Sequence, residues 1–430
     1  MKIKALELNN FRGFEHLKID FPESNLAVFI GTNGSGKSSV LDALTKLLAN
    51  FIVTSLEIDG IDNSLTSIVV SDNDINSTHK TNLYISFKDQ QERVFSIKKT
   101  WNGAEVMRGS YSLNIPEEQA IPLLVSYDVK RLIYSRKHGE TTVGRMSYPQ
   151  LYALVNSLGS TLSQFNDFLK WFKRVEDDEV RQIRNQNDFN YRDQRLEVVR
   201  LSLDKFLGDL TLDDYKNLHI KTSEDSSFIF SHGESFLAIN KNGQDFDINQ
   251  LSDGEKTLIM LVCDIARRLT MANPALENKL EGEGVVMIDE IELHLHPKWQ
   301  RNVLPALQKT FPNIQFIVTT HSPHVLNSLE AENIFVLQNK DNKITCAKPD
   351  ATLGRDVNWI LEEVMEVSPR PTRFEPIWNE VQALISEGGK ENLKKAKQQI
   401  DQLIQEFELA DDGELNAKLA IIKRKEILKR

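Results

Sequence analysis

A glycine-rich loop near the start of the chain carries residue types that bind the phosphates of a nucleotide. Residues 31–38 read GTNGSGKS and fit the pattern G-x-x-x-x-G-K-[ST] at every fixed position. Glycines let the backbone curl so that successive N–H groups point at phosphate oxygens. Lys37 places a charge on the β- and γ-phosphates, and Ser38 offers a hydroxyl to Mg²⁺. The residues expected to contact ATP here are Asn33, Gly34, Ser35, Gly36, Lys37, Ser38 and Ser39.

Two acidic residues end an apolar segment in the second half of the chain. Residues 284–289 (GVVMID) read as a buried strand that leads into Asp289 and Glu290. At the carboxyl end of a parallel strand, Asp289 would hold Mg²⁺ directly or through water, and Glu290 would polarise the attacking water. Many strands end in acids, so this Walker B interpretation depends on the pairing with Lys37.

A second phosphate-binding end is predicted where residues 251–256 (LSDGEK) open a long amphipathic helix. Ser252, Gly254 and Glu255 lie at this helix start, where backbone N–H groups attract anions. One nucleotide needs one such end, and the loop with Lys37 already supplies it. The economical interpretation is that Ser252 serves the γ-phosphate of a nucleotide bound to another protomer, which makes a homodimer around ATP.

His321 follows a further apolar strand, residues 314–319 (IQFIVT). If this strand neighbours the one that ends in Asp289, the imidazole can hydrogen-bond the γ-phosphate and link it to Glu290. A lone histidine in such a place is more often structural. Because the Lys37 loop and the Asp289-Glu290 pair occur in the same chain, the catalytic interpretation is favoured.

Arg12 lies at the tip of a turn, NNFRGF, between two predicted strands at 3–9 and 16–21. One interpretation is a solvated hairpin arginine. The other is that the turn sits beside the nucleotide and that Arg12 contacts it. The residues by themselves leave the two interpretations open.

The surrounding sequence predicts elements that position these groups. A buried strand at 26–30 runs into the loop, and a helix at 39–50 leaves it, so the helix dipole adds to anion binding. Alternation of apolar and polar residues predicts an antiparallel pair at 81–88 and 92–99. Further strands are predicted at 121–127, within 216–248 and at 333–338.

Two regions read as helical. Residues 146–207 are aromatic and charged at helical spacing, which predicts two or three helices, and residues 355–430 carry no strand signal. Acidic residues are interleaved among the arginines of the first region, which favours a solvated helix face over nucleic-acid contact. These arginines are Arg174, Arg181, Arg184, Arg192, Arg195 and Arg200.

The composition is that of a globular protein. The chain has 430 residues, of which 40% are apolar and 27% are charged, and its net charge is −10. That charge argues against a general attraction to nucleic acid, although a local basic patch is compatible with it. No signal peptide and no apolar run near the ~20 residues that span a bilayer are visible. We therefore expect a cytoplasmic protein with no membrane partner.

Taken in order, GTNGSGKSS, LSDGEK, VVMIDE, ELHLHP and VTTHS resemble the ATP-binding-cassette (ABC) head domains of the SMC, Rad50, RecF and OLD-nuclease group. The resemblance covers residues 1–50 and 250–338. It implies an α/β fold, with a mixed sheet around the phosphate loop, an antiparallel β subdomain, a helical insert and a C-terminal helical extension. It also implies that Arg12 lies near the nucleotide and that residues 292–297 form the D-loop.

The domains expected from this resemblance are four. They are an N-terminal lobe with the phosphate loop at 1–145, a helical insert at 146–210, a C-terminal lobe with the signature, Walker B and His switch at 211–350, and a helical assembly or partner region at 351–430. The signature departs from the usual motif at Asp253, where Gly is standard, as is common in the RecF-like branch. No Q-loop can be assigned: Gln90 and Gln91 are poor candidates, and residues 127–131 are the alternative.

The tail resembles the C-terminal region of PtuA ATPases from Septu anti-phage systems, which also occur with some retrons. The resemblance rests on residues 354–361 (GRDVNWIL), Arg370, Pro371 and the helices after them. It implies a defence ATPase whose partner is a separate HNH-type nuclease, PtuB. The alternative is a RecF-like DNA-repair clamp that binds DNA directly, and the net charge argues against it. An OLD-type nuclease would need a Toprim domain after about residue 345, where only helices are predicted.

Overall fold

The computed structural model describes residues 1–55, 81–88, 94–101, 120–129, 149–154, 156–158, 161–222, 235–340, 343–407, 409 and 412–428. Within these residues the strands are β1 (Lys2–Phe11), β2 (Phe14–Asp20), β3 (Leu26–Gly31), β4 (Thr81–Lys88), β5 (Val94–Trp101), β6 (Leu123–Tyr127), β7 (Tyr215–Thr222), β8 (Ser235–Lys241), β9 (Gln244–Asp247), β10 (Gly284–Ile288), β11 (Ile314–Thr319), β12 (Ile334–Lys340) and β13 (Lys343–Ala347). The α-helices are α1 (Lys37–Ser55), α2 (Thr161–Gln186), α3 (Gln194–Leu210), α4 (Asp253–Ala272), α5 (Pro297–Thr310), α6 (Pro323–Leu326), α7 (Val357–Trp359), α8 (Glu375–Glu387), α9 (Lys390–Phe407) and α10 (Gly413–Leu428).

A six-stranded sheet in the order β13-β12-β3-β11-β10-β6 carries the phosphate loop. Five of its strands are parallel, and β13 pairs antiparallel with β12 at the edge. Every residue of β10 and β11 is buried, as expected for strands covered on both faces. The carboxyl ends of β3, β11 and β10 therefore meet at one edge of the sheet, where open α/β folds bind ligands.

A second, antiparallel sheet in the order β2-β1-β4-β5 faces the first across helix α1. One continuous apolar cluster joins side chains of β1, such as Leu6, with Leu44 of α1 and Met287 of β10. This packing fixes α1, and with it the end of the phosphate loop, between the two sheets. A third, small sheet consists of β7, β8 and β9.

The predicted fold class is confirmed. The mixed sheet, the antiparallel subdomain and the helices of the C-terminal segment are present, and β3, β10 and β11 lie within one residue of the predicted bounds. Strand β13 was not predicted. Gln90 and Gln91 lie outside the residues that the structure describes.

The chain divides into two compact units, Met1–Arg355 and Asp356–Arg430. The second unit has its own apolar core, in which Trp378 and Val381 of α8 pack with Ile400 of α9 and Leu415 of α10. Among the described residues, no helix combines the length and apolar character that crossing a membrane requires.

Candidate functional site

The phosphate loop joins β3 to α1, and Lys37 is the first residue of that helix. The Lys37 side chain is buried, and its Nζ donates to the carbonyl oxygens of Gly31 at 2.9 Å and Thr32 at 3.1 Å. Burial lowers the pKa of Lys37, whereas the charges of Asp289 and Glu290 raise it. The lysine and the two acids found by motif are thus close enough to interact electrostatically.

Gly36 must be a glycine for two reasons. Its φ is +95°, a backbone conformation that other L-residues rarely adopt, and a Cβ there would lie 2.5 Å from the ring of Phe14. The neighbouring Ser35 is fully buried, and its Oγ has no hydrogen-bond partner among the described residues. An unpaired buried hydroxyl is costly. A phosphate oxygen in the loop would satisfy it, so the loop fits an anionic ligand.

Ser38 and Asp289 meet although they are far apart in sequence. Ser38 Oγ donates to Asp289 Oδ2 at 2.9 Å, and the hydroxyl of Thr319 donates to the other carboxylate oxygen. A hydroxyl and a carboxylate are hard oxygen donors, which Mg²⁺ prefers together with water and substrate phosphates. These two residues therefore fit the predicted Mg²⁺ site.

Glu290 is half-buried and has a left-handed backbone, with φ of 49°. Its N–H donates to Thr319 Oγ1 at 2.8 Å, which holds this backbone in place. A non-glycine residue in this conformation stores strain of order 1–3 kcal/mol and often marks a functional turn. The strained turn directs the chain away from the sheet directly after the Walker B aspartate.

His321 follows β11, and β11 lies directly beside β10 in parallel register. The predicted adjacency of the histidine and the Walker B acids is therefore present. The His321 main-chain N–H donates to Glu292 Oε1 at 2.5 Å. This contact joins His321, two residues beyond the end of β11, to the segment that the sequence indicated as the D-loop.

Arg12 lies beside the phosphate-loop helix. Its guanidinium forms a 2.6 Å ion pair with Asp42 and donates to Ser39 Oγ at 3.4 Å, both on α1. The hairpin turn thus sits next to the loop, as one of the two sequence interpretations required. Contact of Arg12 with the nucleotide stays a prediction.

Ser252 is exposed and caps helix α4 through a capping box with Glu255. The Ser252 hydroxyl donates to Glu255 Oε2 at 2.5 Å, while Lys241 Nζ donates to Oε1 at 2.6 Å and the Tyr215 hydroxyl also donates to Oε1. Burial by itself raises the pKa of Glu255, but these hydrogen bonds outweigh it and lower the pKa to about 2. The carboxylate of Glu255 is thus held against its own helix start.

Gly254 marks a close approach between the predicted signature and the predicted D-loop of the same chain. A Cβ on Gly254 would lie 2.6 Å from the carbonyl oxygen of His294. Any larger residue would push the two loops apart, because a backbone atom cannot move as a flexible side chain does. The spacing of these loops is therefore set by glycine.

Sequence reasoning missed several residues around the site. Thr319 binds both Walker B acids, and only its place at the end of a predicted strand hinted at this. Tyr215 and Lys241, which hold Glu255, left no signal in the sequence. Tyr127, at the start of the alternative Q-loop segment, is fully buried and donates to Asp264 at 2.8 Å, so its side chain faces the core.

The arginines of the insert lie on or next to α2 and α3, and several are paired. Arg181 pairs with Asp178, and Arg195 with Asp193. Arg200 contacts Glu176, Glu179 and Glu197. The exposed pairs of Arg181 and Arg195 agree with the interpretation of a solvated, charge-paired helix face. Arg200 does not, because only 15% of its side chain is exposed and it lies with Glu176 and Glu179 in a half-buried cluster of α2 and α3.

Comparisons with known proteins identify the family of this chain and its relatives. The family model described as "AAA domain, putative AbiEii toxin, Type IV TA system" matches residues 26–327. The retron Ec83 probable ATPase of Escherichia coli is 30% identical over 86% of this chain and 77% of its own. The retron Vc95 probable ATPase of Vibrio cholerae serotype O1 biovar El Tor is 30% identical over 93% and 86%. The Septu protein PtuA of Bacillus mycoides (strain KBAB4) is 26% identical over 79% of this chain and 41% of that protein.

Proposed function

This chain belongs to the AAA_21 family, and from that premise we propose that it is an ABC-type ATPase of the SMC/RecF kind, which hydrolyses ATP at sites shared between two protomers in anti-phage defence. The observation that carries the proposal is the meeting of Lys37, Ser38, Asp289 and Glu290 at the carboxyl ends of β3 and β10. These residues are about 250 positions apart in the sequence, and each offers the group that ATP hydrolysis needs at that place.

Each residue has a distinct part in the reaction. Lys37 and the loop N–H groups bind the phosphates, and Ser38 and Asp289 would hold Mg²⁺. The bound ion would supply positive charge against the transferring phosphoryl group. Glu290 orients the attacking water and accepts its proton, and His321 donates a hydrogen bond to the γ-phosphate. After phosphate release, Glu290 gives the proton that it took from the water to the solvent.

The exposed capped start of α4 supports a shared site. Ser252 closes a second helix N-terminus, which is surplus to the needs of the nucleotide bound at Lys37. Across a two-fold axis each protomer would place its Ser252 on the γ-phosphate held by the other. Such an arrangement gives two equivalent sites per homodimer.

Mixing two inactive variants tests this arrangement. We expect Lys37→Ala and Ser252→Arg proteins to be inactive alone and to regain about a quarter of wild-type ATPase activity as an equimolar mixture, if only dimers form and the sites are independent. Half of the dimers are then mixed, and each mixed dimer has one site with both lesions and one intact site. Steady-state phosphate release measures the recovery.

The control for this mixture is each variant mixed with itself, with subunit exchange demonstrated by fluorescence energy transfer. Circular dichroism checks that Ser252→Arg, which also loses the helix cap, remains folded. A mixture that exchanges subunits and stays inactive would place Ser252 in the site of its own chain.

The names of the relatives support a defence role. Two are retron ATPases and one is a Septu protein, and the resemblance of the tail to PtuA implies an HNH-type nuclease as partner. We place the docking surface for this nuclease, or for further protomers, on the unit Asp356–Arg430. That unit has its own core and adds helices beyond a complete ATPase fold.

Removal of the tail is expected to abolish larger assemblies and to leave nucleotide binding intact. A chain that ends at Arg355 should bind ATP with wild-type affinity but lose its larger assemblies, because the removed unit packs around a separate core. Mass photometry of full-length and shortened chains, each co-expressed with an HNH-type nuclease of the PtuB kind, measures the difference. Identical assemblies from both chains would give the tail another role.

A RecF-like clamp that binds DNA directly is the weaker alternative. The ion pairs of Arg181, Arg195 and Arg200 neutralise part of the basic stretch, and the net charge of −10 disfavours phosphate backbones. ATP-dependent DNA retention by the chain without any partner would favour the clamp.

A further inference from the structure

Glu292 lies two residues beyond the Walker B glutamate, in the turn between β10 and α5. One of its carboxylate oxygens accepts the His321 main-chain N–H at 2.5 Å. The other, Oε2, is buried and has no hydrogen-bond partner among the described residues. Its charge also acts on Lys37, where it raises the lysine pKa against the effect of burial. Glu292 therefore contacts the main chain of His321, and its charge interacts with Lys37 of the phosphate loop.

The turn that carries Glu292 is joined to the end of β11 by a row of contacts. Thr319 binds the Asp289 carboxylate and accepts the Glu290 N–H at 2.8 Å through its hydroxyl, and its carbonyl accepts the Ile291 N–H at 3.1 Å. The bond from His321 to Glu292 continues this row. In this bond the acceptor is a side-chain oxygen, whereas between the strands of a sheet it would be a backbone carbonyl oxygen.

The backbone around His321 is otherwise held from other directions. The Thr320 N–H donates to the Phe29 carbonyl of β3 at 3.0 Å, and the Ser322 N–H donates to Thr320 Oγ1 at 3.0 Å. Ser322 then caps the short helix α6. Of the three main-chain N–H groups of residues 320–322, that of His321 has its acceptor, Glu292, in the turn after β10. The carboxylate of Glu292 thus ties the His321 main chain to the turn that carries Glu290.

A buried carboxylate oxygen without a donor destabilises the folded chain. Packing and folding stability therefore do not account for a glutamate at this position. Glutamine would keep an acceptor for the His321 N–H at lower cost, and alanine would remove the acceptor. Strained or unsatisfied groups of this kind are typical of sites where function outweighs stability.

We propose that Glu292 is the positioning residue that holds His321 toward the γ-phosphate. It acts through the His321 main chain and takes no part in bond breaking. This inference rests on the proposed function, because it assumes that His321 contacts the nucleotide during hydrolysis.

A double-mutant cycle tests the coupling. We expect Glu292→Ala and His321→Ala each to lower kcat by about tenfold or more, and the double variant to fall no more than about twofold below His321→Ala, since residues that act as a unit are not additive. The KM for ATP should stay within about twofold of wild type, because the phosphate loop holds the substrate. Glu292→Gln should keep most of kcat, as its amide oxygen still accepts the His321 N–H.

Thermal unfolding supplies a readout that a purely structural role would move in the other direction. We expect the Tm of Glu292→Ala and Glu292→Gln to equal or exceed that of wild type, since a buried carboxylate oxygen without a donor is removed. Glu330→Ala is the matched control, because this exposed glutamate makes no capping hydrogen bond. It should change neither kcat nor Tm.

The outcomes separate the inference from the proposed function. Full activity of Glu292→Ala beside an impaired His321→Ala would overturn the positioning role and leave the ATPase proposal standing. Additive losses in the double variant would also overturn it. Full activity of His321→Ala would remove the switch role from the proposed mechanism, and the inference with it.

Discussion

The Glu290→Gln variant is expected to bind ATP like the wild type and to hydrolyse it about 10²–10⁴ times more slowly, the usual effect of losing a general base. Glutamine has nearly the same shape and can still orient a water molecule, but it cannot accept the proton of that water. Binding should persist because the groups that hold the phosphates, Lys37 and the loop N–H groups, are unchanged. Isothermal calorimetry measures the affinity, and single-turnover phosphate release measures the chemical step.

The structure gives the reason for expecting so large an effect at this position. Glu290 stands directly after the Asp289 that contacts Ser38, and Thr319 holds its backbone in a left-handed conformation. Glu277→Gln is a suitable control, because Glu277 is an exposed glutamate outside the site. Wild-type hydrolysis by Glu290→Gln would mean that another residue is the base.

The Lys37→Ala variant is expected to lose about ten- to a hundredfold in ATP affinity, which corresponds to the 1.5–3 kcal/mol of a charge-assisted hydrogen bond. The substitution removes the cation that faces the β- and γ-phosphates. It also leaves the carbonyl groups of Gly31 and Thr32 without the donor that they have in the structure. Calorimetry with a slowly hydrolysed ATP analogue measures the change.

An exposed lysine provides the comparison for this variant. Lys18 lies on β2 with 60% of its side chain exposed, and Lys18→Ala should leave the affinity unchanged. If Lys37→Ala bound ATP as tightly as Lys18→Ala, the glycine-rich loop would have to be rejected as the nucleotide site. Circular dichroism checks that both variants keep the wild-type fold, from which each differs by one charge.

The sequence by itself determined the parts of this protein whose causes are local. The phosphate loop is recognisable because contiguous residues set its backbone, as with Gly36, and supply its charge, as with Lys37. Strands β3, β10 and β11 are continuous apolar runs, and their lengths and turn residues separate them from helices. The Walker B acids and His321 could be located because they lie within two residues of the end of such a strand.

Only the tertiary structure decided which of these strands are neighbours and what lies between them. The sheet places β11 between β3 and β10, so Thr319 reaches Asp289 and Glu290, and Glu292 reaches His321. Strand β13 escaped prediction because a short edge strand with exposed residues has a weak apolar signal.

Glu255 contacts Tyr215 and Lys241, which lie in other segments of the chain, and the sequence of these segments does not predict that they meet. Their meeting is set by how β7 and β8 pack against the start of α4. Local rules act over a few residues along the chain, whereas burial of apolar surface selects the one arrangement that closes the core. The motifs could therefore be read in order, and the contacts that orient them became visible only in the folded chain.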